Sequence, residues 1–506
     1  MSAVIEETPA AVREAETGGA RAVFALARFE ARRLLLSKVV LVCFVLYAAL
    51  VVWRTPDSWD GFPALQNADR ATQNGPLLIG FAVLLGANAA ALRSRRYGTE
   101  AWFGALVVSA GRRTAAHLLS LVPVVLLTVL FVAWQFTWEA LKPGAIGSGS
   151  PAELAVGPLT VLLLGAAGVL LARLVRSVWA GPLAGALYLL TFVAGPFPTG
   201  GEDATWLSPV VPGATYQSLP SDLLGRPAAW HALYLTGLAL FLAFLAVLVS
   251  GGRSAAVKAG VAVTLAMGLT GAYGQTGGES AELIAARKRV SLTPETEQRC
   301  VERNGSRYCA FDEWLPRTED WAEVVDEVRS LAGGSAHSRP LLVRQRIDLT
   351  YGLDSDTAID PVTRRNQVTV GTDWGGNRVP EFSAAVASVL VAGSEEEGSA
   401  VCDGRMVTVM WLALAWQDDP VSALSRVRLD DSVEGAAVVL SPTEPMEMAG
   451  AHTEVVRRLL EKDDRDGVAE KVRAHWDELT TPGVTTARAA ELLEIPGPVE
   501  ADECEG

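Results

Sequence analysis

Few side chains in this 506-residue sequence fall in patterns that do covalent chemistry. His337, His452 and His475 lie in its C-terminal half, and none belongs to an HExxH pattern. His452-Thr453-Glu454 has the wrong spacing for a zinc-protease helix and reads as a solvated helix face. No G-x-S-x-G elbow presents a serine nucleophile. Asp354, Asp356 and Asp360 lack the glycine and terminal glutamate of a calcium loop, and Trp374-Gly375-Gly376 reads as a plain loop. No GxxxxGK[ST] run is present to cradle ATP phosphates. The expectation is a chain without a catalytic residue, metal or cofactor of its own.

The cysteines are more informative. Cys43 sits in an apolar run, whereas Cys300, Cys309, Cys402 and Cys504 are in the C-terminal half. Cys300 and Cys309 bracket a short polar loop, Val301 to Tyr308, that looks built for closure by a disulfide, and Cys402 with Cys504 is a candidate second bridge. Free thiols or a zinc site are the alternatives. The wide spacing and the lack of a following histidine pair disfavour the metal. Disulfides persist outside the cytosol, which favours an external domain.

The elements that would position these residues divide the chain in two. Residues 1–21 are acidic and Ala-rich and are expected to be a disordered cytosolic tail. Residues 22–274 alternate long apolar runs with short arginine-bearing connections. A helix needs about 20 apolar residues to cross a bilayer. Runs of that kind are Leu34 to Trp53, Pro76 to Leu92, Ala115 to Phe136, Val156 to Ala172, Val178 to Phe197 and Ala232 to Val249, with a shorter one at Ala259 to Tyr273. Trp53, Trp134, Trp138, Trp179 and Trp230 lie near their ends, where indole rings favour the interface. Residues 275–506 form a charged segment with no run long enough to cross, and they account for much of the net charge of −14. The fold class expected is an all-α polytopic membrane domain of six or seven spans followed by a helix-rich α+β soluble domain.

Orientation follows from the arginines. Arg28, Arg32, Arg33, Arg93, Arg95, Arg96, Arg112, Arg113, Arg173, Arg176 and Arg253 fall in alternate connections, and the opposite connections, 54–75, 137–154 and 198–231, are poorer in them. By the positive-inside rule the N-terminus is cytosolic. A seventh crossing would then place the C-terminal domain outside. Basic residues at span ends, without interleaved aromatics, also argue against a nucleic-acid partner.

In the soluble segment, helices are predicted at Ser280 to Val290, Asp320 to Ala332, Glu381 to Val391, Arg405 to Gln417, Thr443 to Lys462, Gly467 to Leu479 and Thr485 to Leu493. Strands are predicted at Leu341 to Leu349 and Gln367 to Thr372.

Two stretches carry a resemblance. Ala22 to Ser37, AVFALARFEARRLLLS, is amphipathic and includes Phe29, Glu30, Arg32 and Arg33; it would lie flat on the inner leaflet. The connection Arg93 to Ser120 opens with Arg96 and Gly98-Thr99-Glu100. It continues through a short apolar helix bearing Trp102, Phe103 and Leu106, and closes with Arg112-Arg113 after a Ser-Ala-Gly break. Together these are similar to the membrane subunits of type 2 ABC exporters, whose first cytosolic loop couples to the ATPase. The layout also resembles permeases of high-GC Gram-positive bacteria with a large external C-terminal domain. One departure is Ser109-Ala110-Gly111 where the family often has a proline.

The resemblance implies a permease subunit that exports an amphiphile such as a peptide, antibiotic or lipid. It would act as a homodimer or heterodimer of permeases, in membrane lipid, with a separate ATPase subunit. The rival reading is a membrane-anchored sensor whose external domain binds a ligand. Pro76, Pro123, Pro158, Pro182 and Pro196 could kink the spans or be static.

Overall fold

The computed structural model describes residues 9–53, 61–99, 108–175, 177, 179–193, 207–209, 218–350, 359–430, 432–433 and 436–498. Among the described residues the protein is helix-rich, 66% helical, with small sheets confined to its C-terminal region. Among the described residues five helices are long and apolar enough to cross a membrane: Leu65–Ala91, Ala110–Ala140, Pro151–Leu174, Ala228–Val249 and Ala255–Gln275. A sixth candidate is a bent pair, Gly19–Leu35 and Lys38–Trp53, which meet at 55°. The apolar run expected at Val178 to Phe197 contributes the helix Ala180–Val193, and its remainder lies largely outside the described residues.

The bend places the first boundary later than the sequence suggests. The amphipathic helix continues to Leu35, and Ser37 then accepts a hydrogen bond from the Val40 amide at 3.3 Å, so the apolar helix starts at Lys38 rather than Leu34. A second correction concerns the tail. The helix begins at Pro9, within the stretch expected to be disordered, because its Ala, Glu and Arg residues favour helix once the chain beyond them is helical. Pro76, Pro123 and Pro182 fall in first turns, where the missing amide costs no helical hydrogen bond, and Pro158 is inside its helix.

Small residues set the helix packing. A Cβ added at Gly168 would collide with the Leu84 carbonyl, and Asn88 donates to the Gly168 carbonyl at 3.1 Å, so Pro151–Leu174 and Asn74–Ala91 run in backbone contact. Gly237 likewise meets the backbone at Gly268, closing Ala228–Val249 on Ala255–Gln275. The interior is apolar, with Val40, Phe44, Ile79, Val83, Leu121 and Val161 buried together. So is much of the exterior: Val45, Leu46, Leu126, Leu130, Val263 and Leu269 are exposed.

The C-terminal region builds a core around Trp314, Trp321 and Trp411, each at most 1% exposed. Burial of side chains this large stabilises by more than the roughly 1.5–3 kcal/mol typical of smaller aliphatic ones. A four-stranded sheet, β1 (Arg299–Arg303), β2 (Ser306–Ala310), β3 (Leu342–Gln345) and β4 (Gln367–Val370), has the order β1-β2-β3-β4. The first pair is antiparallel and the other two are parallel. Tyr308, Val343 and Val368 align on the face that enters the core. Asn304 and Gly305, both at positive φ, make the two-residue turn of the β1–β2 hairpin.

Most predicted C-terminal helices occur close to their expected ranges. The long helix expected at Thr443 to Lys462 does not: it spans Gly450–Leu460, and Met446–Glu447 pairs as β7 in a small antiparallel sheet with β5 (Arg428–Leu429) and β6 (Val438–Val439). Pro442 and Pro445 cannot supply helical amides there. The strand expected to reach Leu349 ends at Gln345, where its partner β4 also ends. The C-terminal cluster is not built from C-terminal residues alone. Ala64, Ile146, Leu219, Leu223 and Leu224, from connections between the apolar helices, are buried in the same core.

Candidate functional site: the two ends of the helix bundle

One end of the bundle gathers the arginines and the amphipathic helix. Glu30, only 6% exposed, accepts from Arg93 at 2.6 Å, which ties the amphipathic helix to the start of the Gly98-Thr99 connection. Gly98 has φ +67°, and both the amide and the hydroxyl of Thr99 bond to the Ser94 carbonyl, at 2.9 and 3.2 Å. Beyond the undescribed stretch, Ser109 caps the helix Ala110–Leu119 by accepting from the Arg112 amide at 3.4 Å. This serine fixes the helix start.

Arg112 then reaches Gly19 of the amphipathic helix. Gly111 lies against Gly252 in the turn between the last two apolar helices, and Thr114 donates to Ser250 at 2.8 Å. The structure therefore brings Glu30, Arg96, Gly98, Thr99, Arg112 and Arg113 to one end. Phe29 is exposed there with the Arg33 guanidinium 5.5 Å from its ring centre, and Arg32 is exposed beside them. Glu100, Trp102, Phe103 and Leu106 lie outside the described residues. A cavity of about 270 Å³ opens between Glu30, Arg33, Arg93, Arg96 and His117.

The other end carries the C-terminal region. Arg317 donates to the carbonyls of Phe62 and Thr372, at 2.5 and 2.9 Å. Gln66 donates to the Leu219 carbonyl at 2.8 Å, and Ser221 bonds Glu313 through its amide at 3.1 Å. Arg287 holds the Leu223 carbonyl at 2.8 Å and pairs with Glu279 at 2.6 Å. Burial pulls the Arg317 pKa down to about 10, against the opposing pull of Asp373 and Asp320. These polar contacts were not foreseen, because each joins segments far apart in sequence. Acidic residues are buried there too: Asp69, 1% exposed, accepts from the Ser150 amide at 2.8 Å, and Glu153 accepts from Gln73 at 2.5 Å.

Cys300 and Cys309 form a disulfide and stand directly opposite each other in β1 and β2, with Cα atoms 4.0 Å apart. The polar loop between them is a hairpin. Cys402 is also disulfide-bonded, and Cys504 lies outside the described residues. His452 corrects the sequence reading. It is fully buried, and its Nδ1 accepts from the Ala449 amide at 3.1 Å, so it caps a helix start instead of facing solvent. Asp354 and Asp356 lie outside the described residues, and among the described residues no group of three His, Cys, Asp or Glu side chains is placed to hold a metal.

No protein-family model, curated protein or solved structure matches this chain.

Proposed function

We propose that the apolar helices cross a lipid bilayer and that the chain is the membrane subunit of an ABC exporter, moving an amphiphile outward with a separate ATPase. The observation that carries this reading is the division of the bundle into two unlike ends. Glu30, Arg93, the Gly98-Thr99 turn and Arg112 share one end with the amphipathic helix. Phe62, Ala64, Ile146 and Leu219 share the other with the C-terminal core.

The membrane placement rests on exposed apolar surface. The helix Ala255–Gln275 has mean hydropathy 1.5 in its most apolar window, yet only 11% of that window is buried within the chain. In water such a surface would be strongly unfavourable; lipid, or a second membrane subunit, removes the cost. This helix is 21 residues long, enough to rise roughly 30 Å, and supports a seventh crossing. An odd number of crossings puts the arginine-rich end in the cytosol and the disulfide-bearing region outside, in agreement with the positive-inside rule and with the redox requirement of the Cys300–Cys309 bridge.

At the cytosolic end the apolar side chains of Trp102, Phe103 and Leu106 would anchor a short helix in a groove of the ATPase, with Glu100 and Arg113 at its polar edge. The resemblance implies two membrane subunits per complex. Purification of the tagged protein in mild detergent should bring down a stoichiometric P-loop ATPase. The double substitution Trp102→Asp and Phe103→Asp should abolish that association while leaving the membrane protein folded. If no ATPase accompanies the intact chain, the sensor reading takes its place.

A further inference from the structure

The outer face of the four-stranded sheet is a site without an assigned role. Alternation along the strands sends Tyr308 and Val343 into the core, so Arg307 on β2 and Arg344 on β3 stand on the opposite face, beside the Cys300–Cys309 bridge. A cleft of about 700 Å³ lies over this face. Arg303, Arg307, Arg344, Arg364 and Arg365 line it. Glu295 and Glu302 are the carboxylates facing them. This concentration of positive charge occurs in the half of the chain that makes the protein strongly acidic.

The guanidiniums are largely unspent within the chain. Among the described residues, the side chains of Arg307, Arg364 and Arg365 have no hydrogen bond or ion pair. Arg303 makes one contact, with the Thr318 hydroxyl at 3.4 Å, and Arg344 is shared between Gln298 at 3.3 Å and Glu295 at 3.5 Å. Burial lowers the pKa of Arg344, and the charges of Arg364, Arg307 and Arg346 lower it further against the pull of Glu295. Holding like charges together in this way is unfavourable unless an anion joins them.

We propose that this cleft binds a ligand carrying a diphosphate, or two closely spaced phosphates. Guanidinium forks match phosphate oxygens in pairs, and such charge-assisted bonds are stronger than neutral ones. Two phosphates carry roughly three to four negative charges in a small volume, which suits five arginines facing two glutamates. The cleft falls within the range of roughly 300–1,000 Å³ typical of small-ligand sites, which suits a small molecule or a headgroup. The disulfide holds β1 against β2 and so fixes Arg303 relative to Arg307. This site is independent of the ATPase and of which way the chain faces.

The test is calorimetric titration of the full chain in detergent with pyrophosphate, and separately with citrate. Arg307 and Arg364 are exposed, so R307Q/R364Q removes two cleft charges without removing a contact of the fold, and its unfolding temperature should match that of the unaltered protein. R426Q/R457Q removes the same charge from an exposed surface elsewhere and serves as its control. The expected result is saturable binding of one pyrophosphate per chain, weakened about tenfold or more in R307Q/R364Q and unchanged in R426Q/R457Q, with citrate at least about tenfold weaker. Absence of saturable binding, equal weakening in the control pair, or citrate binding as tight as pyrophosphate would each overturn the proposal.

Discussion

Glu381 is a carboxylate that its surroundings make reluctant to ionise. It is 3% exposed, and burial raises its pKa despite an ion pair with Arg378 at 2.6 Å. The folded chain therefore keeps this proton to higher pH than the unfolded chain does. Its contribution to stability is fully present below the ordinary glutamate pKa, about 4.3, and is lost as pH rises through the folded value. Glu381→Gln keeps an acceptor for Arg378 but cannot ionise. Thermal unfolding across pH 4 to 8 should show the variant gaining on the unaltered protein as pH rises, and a difference independent of pH would remove Glu381 from the account. The disulfide is a second residue-scale test. It closes a loop of sequence separation 9, and C300S/C309S should lower stability by about 2–3 kcal/mol in denaturant titrations under oxidising conditions. Its pairing was legible from two cysteines around Asn304-Gly305, whereas the burial of His452 was not, since a helix-start imidazole looks the same in sequence whether it faces inward or outward.

At the scale of elements, apolar length was the strongest signal, and it located Pro151–Leu174 and Ala228–Val249 within a few residues. Boundaries were weaker where the signal was local and polar: Ser37 breaks a run that is apolar on both sides, so the bend there is set by one hydroxyl and by packing. The two-residue strands β5 to β7 carry too few residues for alternation to be seen. Contacts between helices are set by glycines whose neighbours lie far along the chain. Gly168→Val must push the backbone at Leu84 away, and overpacking of this kind costs about 1–3 kcal/mol. A lowered unfolding temperature in detergent is the expected outcome; an unchanged one would mean that the two helices are not in backbone contact. Gly371, which has open space where a Cβ would stand, is the matching control, and Gly371→Ala should be close to neutral.

At the scale of the whole molecule, the division into an apolar half and a charged half could be read from composition, but the seam between them could not. Ala64, Ile146 and Leu219 sit in connections that look like ordinary loops, and they become core residues only because the C-terminal region folds over them. The polar network of Arg317, Gln66, Glu313 and Arg287 that fastens this seam has no local pattern at all. Ala228–Val249 and Ala255–Gln275 are joined at the seam end by His231 and Gln275 at 2.9 Å. The basic cleft lies on the face of the four-stranded sheet opposite the one that enters the core with Trp314 and Trp321, and Arg317 is the residue that reaches from that core to Phe62.

In the proposed topology the two ends of the bundle face opposite sides of a membrane. Single cysteines placed at Arg253 and at Ser425, in a background where Cys43 is replaced by serine, report on it directly, since both positions are exposed. Labelling of intact cells with a membrane-impermeant maleimide should modify the Ser425→Cys protein, and should modify the Arg253→Cys protein only after the membrane is opened. Modification of both in intact cells, or of Arg253→Cys alone, would rule this topology out.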